Sequence, residues 1–441
     1  MKFNRDFIFG VATSSYQIEG AFDEDDRTPS IWDTFSRIEG NVQDMDNGDV
    51  ACDHYHRYNE DIKLIKELGV DSYRLSIAWP RIFPEKGKYN PKGMEFYKNM
   101  ITELKQRGIK VAVTLYHWDL PQWVQDLGGW EVRENIDLFL QYTEKCFTEL
   151  DDLVDLWITH NEPWCASILS NAIGEHAPGK KDISAALKVA HHILLSHGMV
   201  VRQYHKLGLK KQIGITLNLT PVYSSTTSFV DKLAASNMDG YFNRWFLEPL
   251  FKGAYPMDIV NLYAARNCNF DFIKDGDFDI IREKCDFLGV NFYNRSLVRF
   301  DPMSLILCSG AHSKYNKTDI GWDISPNEFI DLIKMVRARY TDLPIYITEN
   351  GSAWLDVLEN GEVKDNERIN YLELHLQAVA KMNELGFNIV GYYYWSLLDN
   401  FEWANGYSQR FGLVYVNYDT QERIKKGSFY RYKEIIEKKC I

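Results

Sequence analysis

Leu156-Trp157-Ile158-Thr159-His160-Asn161-Glu162-Pro163 reads as a buried β-strand that delivers a carboxylate to the loop at its exit. Apolar and β-branched residues fill its first half, and Pro163 stops it directly after Asn161 and Glu162. The pattern returns in Pro344-Ile345-Tyr346-Ile347-Thr348-Glu349-Asn350-Gly351, where Gly351 is the stop. Strands that end this way collect polar groups along one rim of a sheet. Barrels keep their chemistry at that rim, at the C-terminal ends of the strands.

Working outward from these two runs, whose strands are read as Leu156–Asn161 and Ile345–Glu349, six more strand candidates appear: Phe7–Ala12, Ser72–Trp79, Lys110–His117, Ile213–Leu219, Phe287–Phe292 and Ile389–Ser396. Helical patterns separate them. In Pro91–Arg107, Met94, Tyr97, Ile101 and Leu104 share one face, and Gly108 follows as a stop. Asn366–Leu385 repeats the pattern with Ile369, Leu372, Leu376 and Val379, and Tyr58–Leu68 with Ile62, Ile65 and Leu68. Strand–helix alternation implies a parallel sheet, and eight units imply closure. The fold class expected is α/β, a (β/α)8 barrel spanning 1–441 as a single domain with extended loops at the C-terminal face. An open doubly wound sheet is the alternative, but no Gly-rich phosphate loop follows an early strand. Gly40–Tyr58 and Arg299–Trp322 are expected as loop insertions.

The bulk composition is that of a soluble globular protein of 441 residues, 45% hydrophobic and 25% charged. A net charge of −12 without any Lys/Arg block argues against a nucleic-acid or acidic-membrane partner. Seven scattered Cys without a CxxC give neither a disulfide framework nor a zinc ribbon. No run reaches the roughly 18 apolar residues of a membrane span, and Met1–Asp6 leads straight into a strand-like run. The chain reads as cytoplasmic and reduced. Aromatics reach 14%, with 12 Trp, enough to fill a large core and still line a cleft.

The strand exits carry a list of polar groups. Gln17 and Glu19 follow the first strand, Arg74 lies in the second, and the third ends at His117-Trp118-Asp119. Asn161 and Glu162 close the fourth, Asn291 and Tyr293 the sixth, and Glu349 the seventh. The eighth runs through Trp395 to Glu402 and Trp403. Singly, each has a structural explanation: a strand-end His is usually a satisfied core group, and a strand Arg a buried ion-pair partner. Together they form a rim of donors and acceptors suited to vicinal hydroxyls, with indole walls. Two facing carboxylates are the minimal apparatus for cleaving a glycosidic bond.

The two glutamate motifs, the run Phe7-Ile8-Phe9-Gly10-Val11-Ala12-Thr13-Ser14-Ser15-Tyr16-Gln17-Ile18-Glu19-Gly20 and the segment Trp395–Trp403 make the chain similar to glycoside hydrolase family 1 from Phe7 to about Tyr418. The resemblance implies a (β/α)8 barrel and a retaining exo-acting β-glycosidase, most simply a β-glucosidase. It implies no metal and no organic cofactor, and a small-molecule β-glycoside as the substrate, with the oligomeric state left open. Carried over position by position, Glu349 resembles the nucleophile and Glu162 the acid/base. Gln17, His117, Asn161, Glu402 and Trp403 match glycone-binding positions, with Trp395 as a floor. Arg74 and Tyr293 match residues touching the nucleophile, Asn291 a supporting group, and Trp322 an aglycone platform.

In that reading Arg74 and Tyr293 hold Glu349 ionised, while the charge of Glu349 raises the pKa of Glu162. Relatives acting on 6-phosphorylated sugars carry Ser and Lys where this chain has Glu402 and Gln409, so unphosphorylated substrates are expected. Glu162, in place of the Gln of plant thioglucosidases, points to O-glycosides. Asp26-Arg27-Thr28-Pro29 and Asn417 depart from the family's common pattern at peripheral positions. Three rivals remain. One is a carbohydrate-binding pseudoenzyme, which could tolerate loss of a glutamate. Another is metal-dependent hydrolysis through His54, His56, His117 or His191-His192, although His54 and His56 are expected to precede a helix. The last is transglycosylation by the same residues. Glucose and galactose differ only at the C4 hydroxyl, so a β-galactosidase or β-fucosidase preference stays open.

Overall fold

The computed structural model describes residues 1–441. Eight parallel strands close into a barrel: β1 (Ile8–Ala12), β2 (Ser72–Ser76), β3 (Lys110–Thr114), β4 (Leu156–Asn161), β5 (Gln212–Asn218), β6 (Phe287–Asn291), β7 (Ile345–Asn350) and β8 (Ile389–Trp395). Each strand pairs with its neighbours in sequence. β1 closes the ring, with Gly10 opposite Ser72 on one side and Tyr393 on the other. The open sheet is thereby excluded.

The helices form where the sequence provides both a stripe and punctuation. The helix Pro91–Gln106 starts with Pro in its first turn and takes a cap from Asn90, whose side chain accepts the Lys92 amide at 3.2 Å. Helix His54–Leu68 ends at Gly69, whose φ of 81° is open to glycine and strained for other residues. The apolar stripes of these helices face the outside of the barrel and build one core of 107 buried residues. A separate cluster of ten fills the lumen, with Leu156, Phe287, Tyr346 and Tyr393 among its members. The barrel is therefore packed rather than hollow, and a ligand has access only to its rim.

Several expectations are corrected. β2 stops at Ser76, because Trp79–Ile82 turns into a short helix with Pro80 in its first turn, where a proline ring cannot continue a ladder. His54 and His56 lie inside their helix and do not precede it. Arg299–Trp322 is not all loop. Ser296–Phe300 and Cys308–Gly310 join Val222–Ser224 in a three-stranded sheet over the barrel's upper rim. β-branched and aromatic residues support that sheet, but its strands are too short to show a period.

At the rim the β7 and β8 exits pass closely. A Cβ on Gly351 would lie 1.8 Å from the Trp395 carbonyl oxygen, so only glycine fits after Glu349-Asn350. No helix is long and apolar enough to cross a membrane.

Candidate active site

The C-terminal rim encloses a cavity of ≈ 500 Å³, within the range of small-molecule sites. Glu162 and Glu349 both line it. Glu349, at the end of β7, has a donor on each oxygen: Arg74 Nη1 at 2.5 Å on Oε1 and the Tyr293 hydroxyl at 2.7 Å on Oε2. An acceptor-only carboxylate matches this pair of donors.

Glu162, at the exit of β4 with a φ of 49°, is held differently. Asn291 Nδ2 donates to its Oε1 at 2.6 Å, and the Cys165 thiol donates to its Oε2 at 3.1 Å. Its pKa is raised to about 7. Burial is the main cause and the negative charge of Glu349 the second, opposed by the Asn291 and Cys165 hydrogen bonds and by Arg74. The raised value agrees with the sequence expectation, but its leading cause is desolvation rather than like-charge repulsion.

One network ties the two carboxyls together. Arg74, fully buried, also donates to Asn161 Oδ1 at 2.8 Å, to the Thr348 carbonyl at 3.0 Å and to Thr114 Oγ1 at 3.1 Å. Asn291 bridges Asn161 Oδ1, at 3.1 Å, and Glu162. The Thr348 hydroxyl donates to Asn291 Oδ1 at 2.7 Å, which fixes the orientation of that amide. Asn161 Nδ2 then faces His117 Nε2 at 3.2 Å, so this nitrogen accepts and Nδ1 carries the proton. That Nδ1 is buried and has no protein partner. Burial first, and Arg74 second, lower the His117 pKa well below the ordinary value and keep the ring neutral.

Glu402 also lines the cavity, and its buried Oε2 has no partner. Burial, then the charges of Glu349 and Glu162, push its pKa up to about 8. Trp395 and Trp403 form the floor and side wall, each ring roughly parallel to that of His117 at 5.8 and 6.0 Å. Trp322 faces Tyr293 at 5.2 Å across the mouth.

Of the sequence candidates, Gln17 stands apart. Its Nε2 donates to the Phe401 carbonyl at 2.8 Å and to Asn400 Oδ1 at 3.0 Å, which uses both amide hydrogens, and Ser14 occupies its Oε1 at 2.5 Å. It lies behind the cavity wall, where it holds the Glu402 segment. Glu19 is likewise structural, paired with Arg81 and accepting the Tyr97 hydroxyl at 2.6 Å. Apart from His117, the histidines of the metal reading are occupied elsewhere: His54 by Asp61, His56 by Asp53 and Glu24, His191 by Asp277 and Tyr255, and His192 by the Trp130 carbonyl. No group of three or more His, Cys, Asp or Glu side chains is arranged to hold a metal ion.

The family model for glycosyl hydrolase family 1 matches residues 1–441. The chain belongs to this family. It is 47% identical over 440 residues to beta-glucosidase A of Acetivibrio thermocellus, covering 99% of this chain and 98% of the relative. Beta-glucosidase A of Thermotoga maritima is 43% identical over 440 residues, with 99% and 98% covered. The crystal structure of the GH1 beta-glucosidase from Exiguobacterium antarcticum superposes with a TM-score of 0.98 at 57% identity, over 99% of this chain and 98% of that one. The chain is thus a glycoside hydrolase, and double displacement with retention is the family's mechanism.

Sequence reasoning missed Trp164, Cys165, Asn218, Thr220 and Phe242, all of which line the cavity. Asn218 ends β5 and Thr220 lies two residues beyond it, so the strand-exit rule applied to that strand finds them. Trp164 and Cys165 follow directly on Pro163, where the chain turns into a π-helix, Cys165–Ile173, that no periodicity announces.

Proposed function

We propose that the protein is a retaining, exo-acting β-glucosidase that releases glucose from cellobiose-like disaccharides and from aryl or alkyl β-glucosides. The observation that carries this reading is the opposite treatment of two carboxyls in one cavity. Glu349 has cationic and hydroxyl donors on both oxygens, and Glu162 is buried with a pKa raised to about 7.

A Glu349 oxygen attacks the anomeric carbon as the glycosidic C–O bond breaks, and Glu162 gives its proton to the departing oxygen. This leaves a glycosyl ester on Glu349 and an ionised Glu162. Esterification removes the negative charge beside Glu162 and swaps its role. It now takes a proton from water, whose oxygen attacks the anomeric carbon and expels the Glu349 carboxylate. Two inversions give net retention, and both carboxyls return to their starting states.

His117 Nδ1–H and the free Glu402 Oε2 offer a donor and an acceptor to sugar hydroxyls above the Trp395 floor, with Asn161 steadying His117. Trp403 supplies a side wall and Trp322 a platform for the aglycone. Gln17 acts through the Glu402 segment that it holds. Glu402 brings no cation to a 6-phosphate and repels it once ionised, above its raised pKa of about 8, which favours unphosphorylated substrates. We take 1–441 as one catalytic domain acting in the cytoplasm on fragments of cellulose. Seven thiols without a disulfide agree with a reducing compartment.

Initial rates on nitrophenyl β-glucoside, β-galactoside, β-fucoside and 6-phospho-β-glucoside test the reading, with Glu349→Ala alongside. The glucoside should lead and the variant should be inactive while still binding sugar. Faster turnover of the phosphorylated substrate would overturn the assignment of Glu402. No turnover of any of the four by folded protein would favour the pseudoenzyme.

A further inference from the structure

Arg295 is a buried cation that the chemistry above does not use. It follows Tyr293 and Asn294, two cavity residues at the β6 exit, and its side chain is only 9% exposed. Its guanidinium carbon lies 4.3 Å from the Tyr315 ring centroid and 4.9 Å from that of Tyr223. Nη1 donates to Glu328 Oε1 at 3.4 Å, an oxygen that also receives the Tyr315 hydroxyl. Nε points toward Asp323 Oδ2 at 3.6 Å and completes no hydrogen bond.

Asp323 is the residue after Trp322. The turn that presents this indole is closed on itself: the Thr318 amide donates to the Trp322 carbonyl at 2.9 Å, and the Trp322 amide to Thr318 Oγ1 at 3.3 Å. The Ile324 amide reaches the Asn316 carbonyl at 2.9 Å. The turn therefore moves as a unit, and its place over the cavity depends on what ties it to the barrel. Asp319 ties its tip to the β7 exit, where its amide donates to the Ala353 carbonyl at 3.2 Å and its carboxylate accepts the Leu355 amide. Arg295 ties its base to the β6 exit.

We propose that Arg295 is a specificity-determining positioning residue that sets the height and tilt of Trp322 over the leaving-group side of the cavity. The proposal rests on Trp322 being the aglycone platform. Arginine suits the place because its flat guanidinium fills the gap between two phenol rings while meeting two carboxylates, whereas the round ammonium of lysine cannot do both. Without it, Asp323 keeps only the exposed Lys317 ammonium at 4.0 Å and Glu328 only the Tyr315 hydroxyl, and the base of the turn opens.

The test compares kcat/KM for cellobiose with that for β-glucosyl fluoride, whose one-atom leaving group is too small to reach Trp322. Both values are measured in wild type, W322A, R295M, R295K and D323N. A loss of binding at a remote subsite lowers the rate only for the substrate that occupies it. R295M should lose about tenfold on cellobiose while the fluoride stays near wild type, R295K should fall between, and D323N should shift the same way by less. Equal loss on both substrates in the Arg295 variants, or no loss on either, overturns the proposal. If W322A itself shows no split, the platform reading fails instead. R295K and D323N decide the question if R295M does not fold.

Discussion

Cys165→Val should move the alkaline limb of the pH–rate profile upward. The Sγ–H of Cys165 is one of two donors on Glu162, placed on Oε2 while Asn291 holds Oε1. A donor stabilises the ionised carboxylate, so the thiol lowers a pKa that burial and Glu349 raise to about 7. The other charged and titratable groups coupled to this pair are Glu349, Arg74, Glu402, Tyr293 and Glu175, and the substitution alters none of them. Glu162 must be protonated to act as acid, so kcat/KM falls as pH rises through its pKa.

A hydrogen bond to a charged group contributes about 1.5–3 kcal/mol. A thiol is a weaker donor, so we assign about half of that, or a shift of about 0.5–1 pH unit. Valine removes the donor and adds about one methyl group in place of the thiol. Cys165→Ser keeps a donor and should leave the limb at or below its wild-type position. The assay is kcat/KM for nitrophenyl β-glucoside across the pH range, on all three proteins. A limb that stays put in the Val variant, or that rises equally in the Ser variant, would refute the reasoning.

Arg74→Met removes the cation and leaves the buried Glu349 with only the Tyr293 hydroxyl; urea unfolding should show a loss of about 3–5 kcal/mol, and a loss below about 1 kcal/mol would show the pair to be far less coupled. Glu349→Gln deletes the like charge beside Glu162. The Glu162 pKa should drop below about 7 yet stay above that of a free carboxyl, because burial is its larger cause; carbon NMR of labelled Glu side chains reads it, and an unchanged value would contradict the coupling. Lys426, fully buried, bridges Asp399, at 2.6 Å, and Asp356 beneath the segment that carries Glu402. Lys426→Met should lower Tm and raise KM for the glucoside, whereas a variant with unchanged Tm would mean that the network does not hold that segment.

Much of this was legible in the sequence because a parallel barrel writes itself in β-branched runs with sharp stops. β4 runs from Leu156 to Asn161 as read, and β7 differs by one residue. Legibility failed where a local signal had two meanings. Ile77-Ala78-Trp79 is apolar enough to extend β2, but Pro80 needs no amide partner only in a helix's first turn. At the site, the glutamates were readable because Pro163 and Gly351 mark strand exits. Cys165 was not, since a cysteine three residues past a carboxylate reads like any core thiol until the π-helix turns it back onto Glu162. Gln17 shows the converse: its place in a motif was visible, but the saturation of its amide by Asn400 and Phe401 belongs to the tertiary structure alone.

The central claim is that Glu349 forms a covalent bond with the sugar. Its most direct test is intact-protein and peptide mass spectrometry after incubation with a 2-deoxy-2-fluoro-β-glucoside bearing a good leaving group, because fluorine at C2 slows hydrolysis of the glycosyl ester more than its formation. One fluoroglucosyl adduct per chain is expected, on the peptide containing Glu349, and none on Glu349→Gln. An adduct on another residue, or steady turnover of natural β-glucosides with no adduct at all, would contradict it.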